Sequence, residues 1–108
     1  MIKVRVKKLN NKVVSFSMVG HAEAAEYGKD LVCAGASAVS FGGINALFAL
    51  TDVTPIIEQK ENGYLKCTLP DNLSEETFDK ASLLLESIIV SLQTIERDYN
   101  DYIQVSFH

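Results

Sequence analysis

Apolar and polar residues alternate in five short segments of the chain, and two longer segments carry apolar residues at helical spacing. Alternation with a period of two predicts half-buried strands, whereas recurrence every three or four residues predicts amphipathic helices. The predicted order of elements is therefore ββαββαβ. The predicted strands span residues 1–8, 12–20, 55–61, 64–69 and 103–107, and the predicted helices span 31–50 and 75–95.

Two short polar pairs predict tight hairpin turns. Asn10-Asn11 separates the first two strands, and Asn62-Gly63 separates the third and fourth; both residue types tolerate positive φ. Hairpins pair strands antiparallel, whereas strands joined through a helix can pair parallel, so the sheet is predicted to be mixed. The expected fold class is α+β: a two-layer sandwich, formed by residues 1–108 as a single domain, in which two helices cover one face of a five-stranded sheet.

The same alternation predicts which strand residues face the core. One of the two cysteines of the chain belongs to this set and is interpreted as a packing residue. The core-facing residues are expected to be Val14, Phe16 and Met18 on the second strand and Leu65, Cys67 and Leu69 on the fourth.

The first helix lies in an uncharged stretch, Leu31–Thr51, that is long enough to cross a bilayer. We interpret it instead as a core helix, because it contains serine, asparagine and three glycines and is flanked by Asp30 and Asp52 rather than by basic anchors. An apolar helix of this kind is expected to be covered on both broad sides. Its glycines predict the close approach of another backbone, with a glycine bend as the alternative.

Composition narrows the functional classes. A formal net charge of −4 disfavours a protein that binds nucleic acid unaided, and the early basic residues Lys3, Arg5, Lys7 and Lys8 are interpreted as the solvated face of a strand. Two cysteines are too few for a disulfide scaffold, which favours a reduced, cytoplasmic setting. Since no CxxC pair occurs, neither a metal nor a cofactor is predicted.

Candidate chemistry is concentrated between the second strand and the first helix. His21 follows the strand and Cys33 lies twelve residues later. If Asp30 caps the helix, Cys33 occupies its first turn, where the helix dipole and free N–H groups favour a thiolate and receive an oxyanion. Ser37, at i+4 from Cys33, is predicted to face the same side. The competing interpretation is a packing cysteine and a surface histidine.

Residues 21–30 are predicted to form an active-site loop. Gly20 and Gly28 bracket this segment closely. We expect the loop to cover a bound substrate, with these glycines as hinge or lid positions.

Gly20-His21-Ala22, Gly28 and Asp30-Leu31-Val32-Cys33-Ala34, together with Ser37, resemble the signature of the ribosomal-processing cysteine protease family, Prp. The resemblance implies that His21 and Cys33 form the catalytic pair, with Asp30 and Ser37 in support. It also implies a homodimer and a protein substrate, the N-terminal extension of the twenty-seventh protein of the large ribosomal subunit. In that family cleavage follows paired phenylalanines, ahead of a small residue.

Two other functions remain open from the residues alone. The first is a non-catalytic ribosome-associated assembly or binding module that uses the basic face of the first strand. The second is a thiol peroxidase or redox sensor, which the absence of a nearby second cysteine disfavours. Replacing Cys33 by alanine separates a binding module, which would keep its function, from a protease, which would lose it.

Overall fold

The computed structural model describes residues 1–20, 27–61 and 63–108, and of residues 27–30 it describes the backbone alone. The elements follow the predicted order ββαββαβ, and the two-layer α+β class is confirmed. They are β1 (Ile2–Leu9), β2 (Lys12–Val19), α1 (Tyr27–Thr51), β3 (Ile56–Lys60), β4 (Tyr64–Thr68), α2 (Glu75–Asp98) and β5 (Ile103–Phe107).

The five strands form one mixed sheet in the order β3-β4-β2-β1-β5. The pairs β1–β2, β2–β4 and β3–β4 are antiparallel, and β1–β5 is parallel. The parallel pair places the last strand beside the first, because α2 returns the chain across the sheet. The mixed sheet predicted from hairpins and crossovers is confirmed.

Both predicted hairpins occur. Asn10 and Asn11 have φ of 52° and 65°, the two consecutive positive values that a type I′ turn requires. In the second hairpin Gly63 has φ of 73°, whereas Asn62 lies outside the described residues. A left-handed turn matches the twist of the strands it joins, which explains the preference for asparagine and glycine.

A β-bulge changes the predicted face of β2. Lys7 pairs with Ser15 but Lys8 pairs with Val13, so Val14 has no partner opposite it. Val13 is consequently buried beside Phe16, while Val14 is only half-buried. The prediction for Val14 is therefore wrong, because the extra residue of a bulge shifts the alternation by one position.

One hydrophobic core lies between the inner face of the sheet and the two helices. It includes the predicted set Leu65 and Cys67 of β4 and Leu69 directly after it, all buried. Burial of an aliphatic side chain contributes about 1.5–3 kcal/mol, so this layer holds the sandwich together. The largest fully buried side chains are Phe16, Leu47, Leu85, Ile89, Leu92 and Ile103.

The start of α2 is the predicted one. Ser74 has extended backbone and its hydroxyl accepts a hydrogen bond of 3.2 Å from the N–H of Thr77. Glu75 and Glu76 lie in the first turn, where carboxylates favour the positive end of the helix dipole. This N-cap is the local reason that the helix begins at Glu75.

Helix α1 packs only one of its sides into the core of the chain. Val32, Ala36, Ser40 and Leu47 form a buried stripe at helical spacing. The stretch Leu31–Thr51 is long and apolar enough to cross a membrane by length and composition alone, yet this stripe packs against the sheet and α2. We expected both broad sides of α1 to be covered. Within the described part of the chain, the core covers one of them.

The glycines of α1 differ in their surroundings. A Cβ at Gly43 would overlap Cγ1 of Ile88 and lie 2.6 Å from its Cδ1, whereas a Cβ at Gly42 has no neighbour within 4 Å. The expected close approach is therefore made by a side chain of α2, not by another backbone. A glycine at position 43 lets the two helices approach closely.

We expect Gly43→Ala to lower the free energy of unfolding by about 1–3 kcal/mol, because Ile88 must move to admit the methyl group. Gly42→Ala is the matched control and should raise stability by up to about 1 kcal/mol, since alanine is the better helix former. Urea denaturation of the two variants measures both effects. Equal stability of the two variants would contradict the contact with Ile88.

Candidate active site

A cavity of about 200 Å³ lies where α1, the end of β2 and the β3–β4 hairpin meet. One helix, two strands and one hairpin each contribute side chains to its wall. Helix α1 contributes Cys33, Ser37 and Phe41; β1 and the end of β2 contribute Ile2, Met18 and Gly20; the hairpin contributes Gln59, Lys60, Gly63, Tyr64 and Leu65.

The reactive candidates lie on one face of α1. Cys33, Ser37 and Phe41 are spaced four residues apart, so a single side of the helix presents them to the cavity. Cys33 packs partly against the core but is only half-buried, and its side chain lines the cavity. The predicted shared side of Cys33 and Ser37 is confirmed, and the thiol is accessible to a ligand in the cavity.

Gly20 brings the end of β2 to the same cavity. It immediately precedes His21, which lies outside the described residues. The sequence predicted that the end of β2 and the start of α1 share one rim of the sheet. That part is confirmed, because Gly20 and Cys33 line one cavity.

The backbone of Gly20 requires glycine. Its φ is +99°, and a Cβ there would overlap the carbonyl oxygen of Met1. A non-glycine residue would be strained in this conformation and would also meet the neighbouring backbone, which cannot give way as a flexible side chain does. The glycine thus fixes how the chain leaves the sheet just before His21.

We expect Gly20→Ala to destabilise the protein by about 2–3 kcal/mol, the combined cost of the positive φ and of the displaced Met1 backbone. Urea denaturation measures this cost, with Gly42→Ala as the matched glycine control. A Gly20→Ala protein of unchanged stability would show that the chain takes another path at this point.

The predicted start of α1 is wrong. The helix begins at Tyr27, so Asp30 is its fourth residue and Cys33 its seventh. Only the first four N–H groups of a helix lack an intrahelical partner, and the dipole effect falls off within the first turn. The N–H of Cys33 is therefore engaged within the helix, and the expected activation of its thiol by the helix terminus is not supported.

The physical reason for this error lies in residues 27–30. Gly28 and Asp30 resemble a loop and a cap in sequence, but both residue types are tolerated in a first turn. The N–H groups of a first turn have no intrahelical partner, so a glycine or aspartate there breaks no helix hydrogen bond, and the negative charge of an aspartate interacts favourably with the positive end of the helix dipole. Gly28 is consequently helical and not a loop residue, while the predicted loop over residues 21–26 lies outside the described residues.

The second cysteine has no access to the cavity. Cys67 is fully buried on β4, and desolvation by burial raises the pKa of its thiol from 9.0 to about 11. The interpretation of Cys67 as a packing residue is confirmed. Because its thiol stays protonated at neutral pH, it is neither a nucleophile nor a resolving thiol in the folded state.

The two thiols should therefore react at very different rates. At about pH 8, roughly one Cys67 side chain in a thousand is ionised. We expect iodoacetamide to add one group, at Cys33, to the folded protein and a second only after denaturation in urea. Intact-protein and peptide mass spectrometry measure both steps. Equal labelling of the two cysteines in the native protein would contradict the burial of Cys67.

The hairpin side of the cavity was missed by sequence reasoning. Lys60 places its Nζ 5.2 Å from the ring centroid of Tyr64, so the two side chains form a cation–π contact beside the cavity. Their position follows from the pairing of Met18 with Leu65, which brings the hairpin turn beside Gly20. No local signal in the sequence reports which strand pairs with β2.

Within residues 1–20, 27–61 and 63–108, no three His, Cys, Asp or Glu side chains cluster as a metal site would require.

Comparison with known proteins assigns this chain and its fold to a class. The sequence profile of the family described as "Cysteine protease Prp" matches residues 1–104. "Ribosomal processing cysteine protease Prp" of Bacillus subtilis (strain 168) is 45% identical over 108 residues, covering 98% of this chain and 96% of that protein. The protein is thus a cysteine protease by class.

Two solved structures of an essential ribosomal processing protease Prp from S. aureus match the whole chain. The complex with a covalently linked product peptide has a TM-score of 0.84 and 42% identity, and the complex with a substrate peptide has a TM-score of 0.86 and 39% identity. Each match covers 100% of both chains. The chain belongs to the Prp family of cysteine proteases.

Proposed function

We propose that this chain is an endopeptidase in which Cys33 is the nucleophile and His21 the general base. The sulfur of Cys33 attacks the peptide carbonyl carbon, and His21 passes the thiol proton to the departing amine. Water then hydrolyses the resulting thioester and releases the acid. The observation that supports the proposal most strongly is the half-buried thiol of Cys33 in a cavity that the residue before His21 also lines.

The remaining site residues take supporting roles in this proposal. Ser37 lies on the same face of α1 and lines the cavity, which suits a hydroxyl that contacts the substrate or the thiol. Asp30, in the first turn of α1, would orient His21. Gly20 fixes the entry of the 21–26 segment, and α1, which contains Gly28, begins directly after that segment.

The proposed substrate is the N-terminal extension of the twenty-seventh protein of the large ribosomal subunit. The relatives bear the words "ribosomal processing", and one was solved with a substrate peptide. Strand β3 forms one edge of the sheet, its residues are exposed, and Gln59 and Lys60 line the cavity. An extended peptide added beside β3 would therefore pass the thiol of Cys33.

We also propose that the protein is a homodimer formed through its helical layer. Large apolar side chains remain exposed on both helices, and a second copy would cover them. In the middle of α2 the exposed Ser87 and Ser91 donate to carbonyls of the helix itself, and Glu86 is half-buried. The exposed apolar residues are Leu31, Phe41, Phe48 and Leu50 on α1 and Leu83 and Val90 on α2.

The proposed reaction uses no metal, cofactor, membrane or nucleic acid, and a single domain over residues 1–108 performs it. A cytoplasmic location suits a free thiol nucleophile and a ribosomal substrate. Helix α1, which is long and apolar, packs a stripe of its residues into the core of the chain.

Incubation of the purified chain with a peptide of the ribosomal extension tests the proposal. Mass spectrometry should find one cut after the paired phenylalanines, and prior alkylation of Cys33 should abolish it. A control peptide with both phenylalanines replaced by glycine should stay intact. An intact extension peptide after prolonged incubation with the unmodified protein would overturn the proposed activity.

A further inference from the structure

The face of the sheet opposite the helices carries a concentration of positive charge. Strands β1, β2, β4 and β5 contain no acidic residue, although the chain as a whole has a net charge of −4. Both helices pack on the other face, against the core. The net charge of the whole chain therefore conceals a basic sheet face, because the helices and loops are acidic.

Strand register assembles this face, which we call the basic face, from four cations. Lys3, Arg5 and Lys7 alternate along β1, about 6.5–7 Å apart. Arg5 pairs with Ser17, and Ser17 pairs with Lys66, so Arg5 and Lys66 flank β2 about 10 Å apart. The basic face comprises Lys3, Arg5, Lys7 and Lys66.

Small hydroxyl side chains lie between these cations. Ser15 and Ser17 of β2 occupy the positions beside Lys7 and Arg5, and Ser106 of β5 pairs with Arg5. Ser17 and the buried Ser15 line a depression of about 270 Å³ together with Arg5, Lys7 and Lys66. Cations and hydroxyls of this kind are the groups that contact nucleic-acid phosphates.

Few negative charges oppose the four cations. Glu58 of β3 pairs with Lys66 in the register, and Glu96 and Asp101, at the rim beyond β5, line a cavity together with Lys3 and Arg5. Within the part of the chain that the structure describes, none of the four cations forms an ion pair with a carboxylate. An external polyanion would therefore meet unneutralised charge.

We propose that the basic face binds the phosphate backbone of RNA, independently of sequence. A protein partner would need an apolar centre with aromatic anchors, whereas the centre of this face consists of cations, serines and Gln104, with Val19 beside Lys3 and Tyr64 at the hairpin end. Because Tyr64 lies at the end and not at the centre of the face, stacking of successive bases along the face is disfavoured. The choice of RNA rather than DNA rests on the proposed function, because a ribosomal substrate is presented beside RNA.

Fluorescence anisotropy with a short labelled RNA duplex of arbitrary sequence tests the proposal. Arg5→Gln/Lys66→Gln should weaken binding about tenfold or more at low salt and reduce the slope of log affinity against log salt by about 2. The matched control Lys12→Gln/Lys80→Gln changes the net charge equally but lies away from this face. It should change the affinity less than about threefold.

Cleavage of a short free peptide keeps this test separate from the proposed protease activity. Neither charge pair lines the cavity of Cys33, so both double variants should cleave the peptide at the wild-type rate. Undetectable RNA binding by the wild type, or an equal loss in both double variants, would overturn the proposal. So would tighter binding to a DNA duplex, an acidic peptide or vesicles of anionic lipid, even if peptide cleavage were normal.

Discussion

Cys33→Ala is expected to lower kcat/KM for the ribosomal extension peptide by at least about 10³-fold, to the limit of detection. The sulfur at this position is the accessible thiol of the cavity, and Ser37, four residues on, has no comparable nucleophilicity without activation. Cys33→Ser, which preserves the size of the side chain, should be equally inactive. Single-peptide kinetics followed by mass spectrometry measure the loss.

Cys67→Ala is the matched control for this loss. It also removes one cysteine, but the buried thiol of Cys67 lies outside the cavity, so cleavage should persist wherever the variant is folded. Its cost should be a loss of stability of about 1–2 kcal/mol from the vacated core volume. If Cys33→Ala still cleaved the peptide while a fully folded Cys67→Ala did not, the protease mechanism proposed for Cys33 would be wrong.

The features read correctly from the sequence are those that neighbouring residues determine. A hairpin turn depends on two residues, as at Asn10-Asn11, where both φ values are positive. The start of α2 depends on Ser74 and the residues that follow it within one turn. Alternation along a strand likewise reports its own faces, which is why the burial of Leu65 and Cys67 was foreseeable.

The features that sequence could not supply depend on residues far apart in the chain. The position of β4 beside β2 is fixed by core packing between Phe16 and Cys67, which face each other across the two strands. The bulge at Val14 arises from how β1 and β2 pair, not from the residues of either strand alone. Long-range strand pairing therefore places the hairpin at the wall of the cavity. It also explains why Val14 was wrongly predicted to face the core.

The candidate site shows the same division. The helix spacing of Cys33 and Ser37 is local and was predicted, whereas the approach of Gly20 to both is a property of the sheet rim. The boundary of α1 was misjudged because Gly28 and Asp30 suit a loop and a first turn equally well. The displaced helix start also bears on the proposed chemistry, because the helix terminus no longer accounts for activation of the thiol and the proposed mechanism assigns that task to His21.

His21→Ala is accordingly expected to lower kcat/KM by about 10²–10⁴-fold, the contribution of a positioned acid–base group. Removing the base leaves Cys33 in place but without a partner to take its proton and return it to the leaving amine. We expect the loss to appear mainly in kcat, since the cavity walls are unchanged. Alkylation of Cys33 should slow as well, because the proposed base is no longer there to take the thiol proton.

His108→Ala is the matched control, since His108 is the other histidine of the chain and is exposed at the end of β5, away from the cavity. It should cleave the peptide and react with the alkylating reagent at the wild-type rates. A His21→Ala protein with normal kcat and normal alkylation would show that another group activates Cys33. Loss of cleavage with unchanged alkylation would instead assign His21 to protonation of the leaving amine alone, because only the thiolate itself reacts with the alkylating reagent.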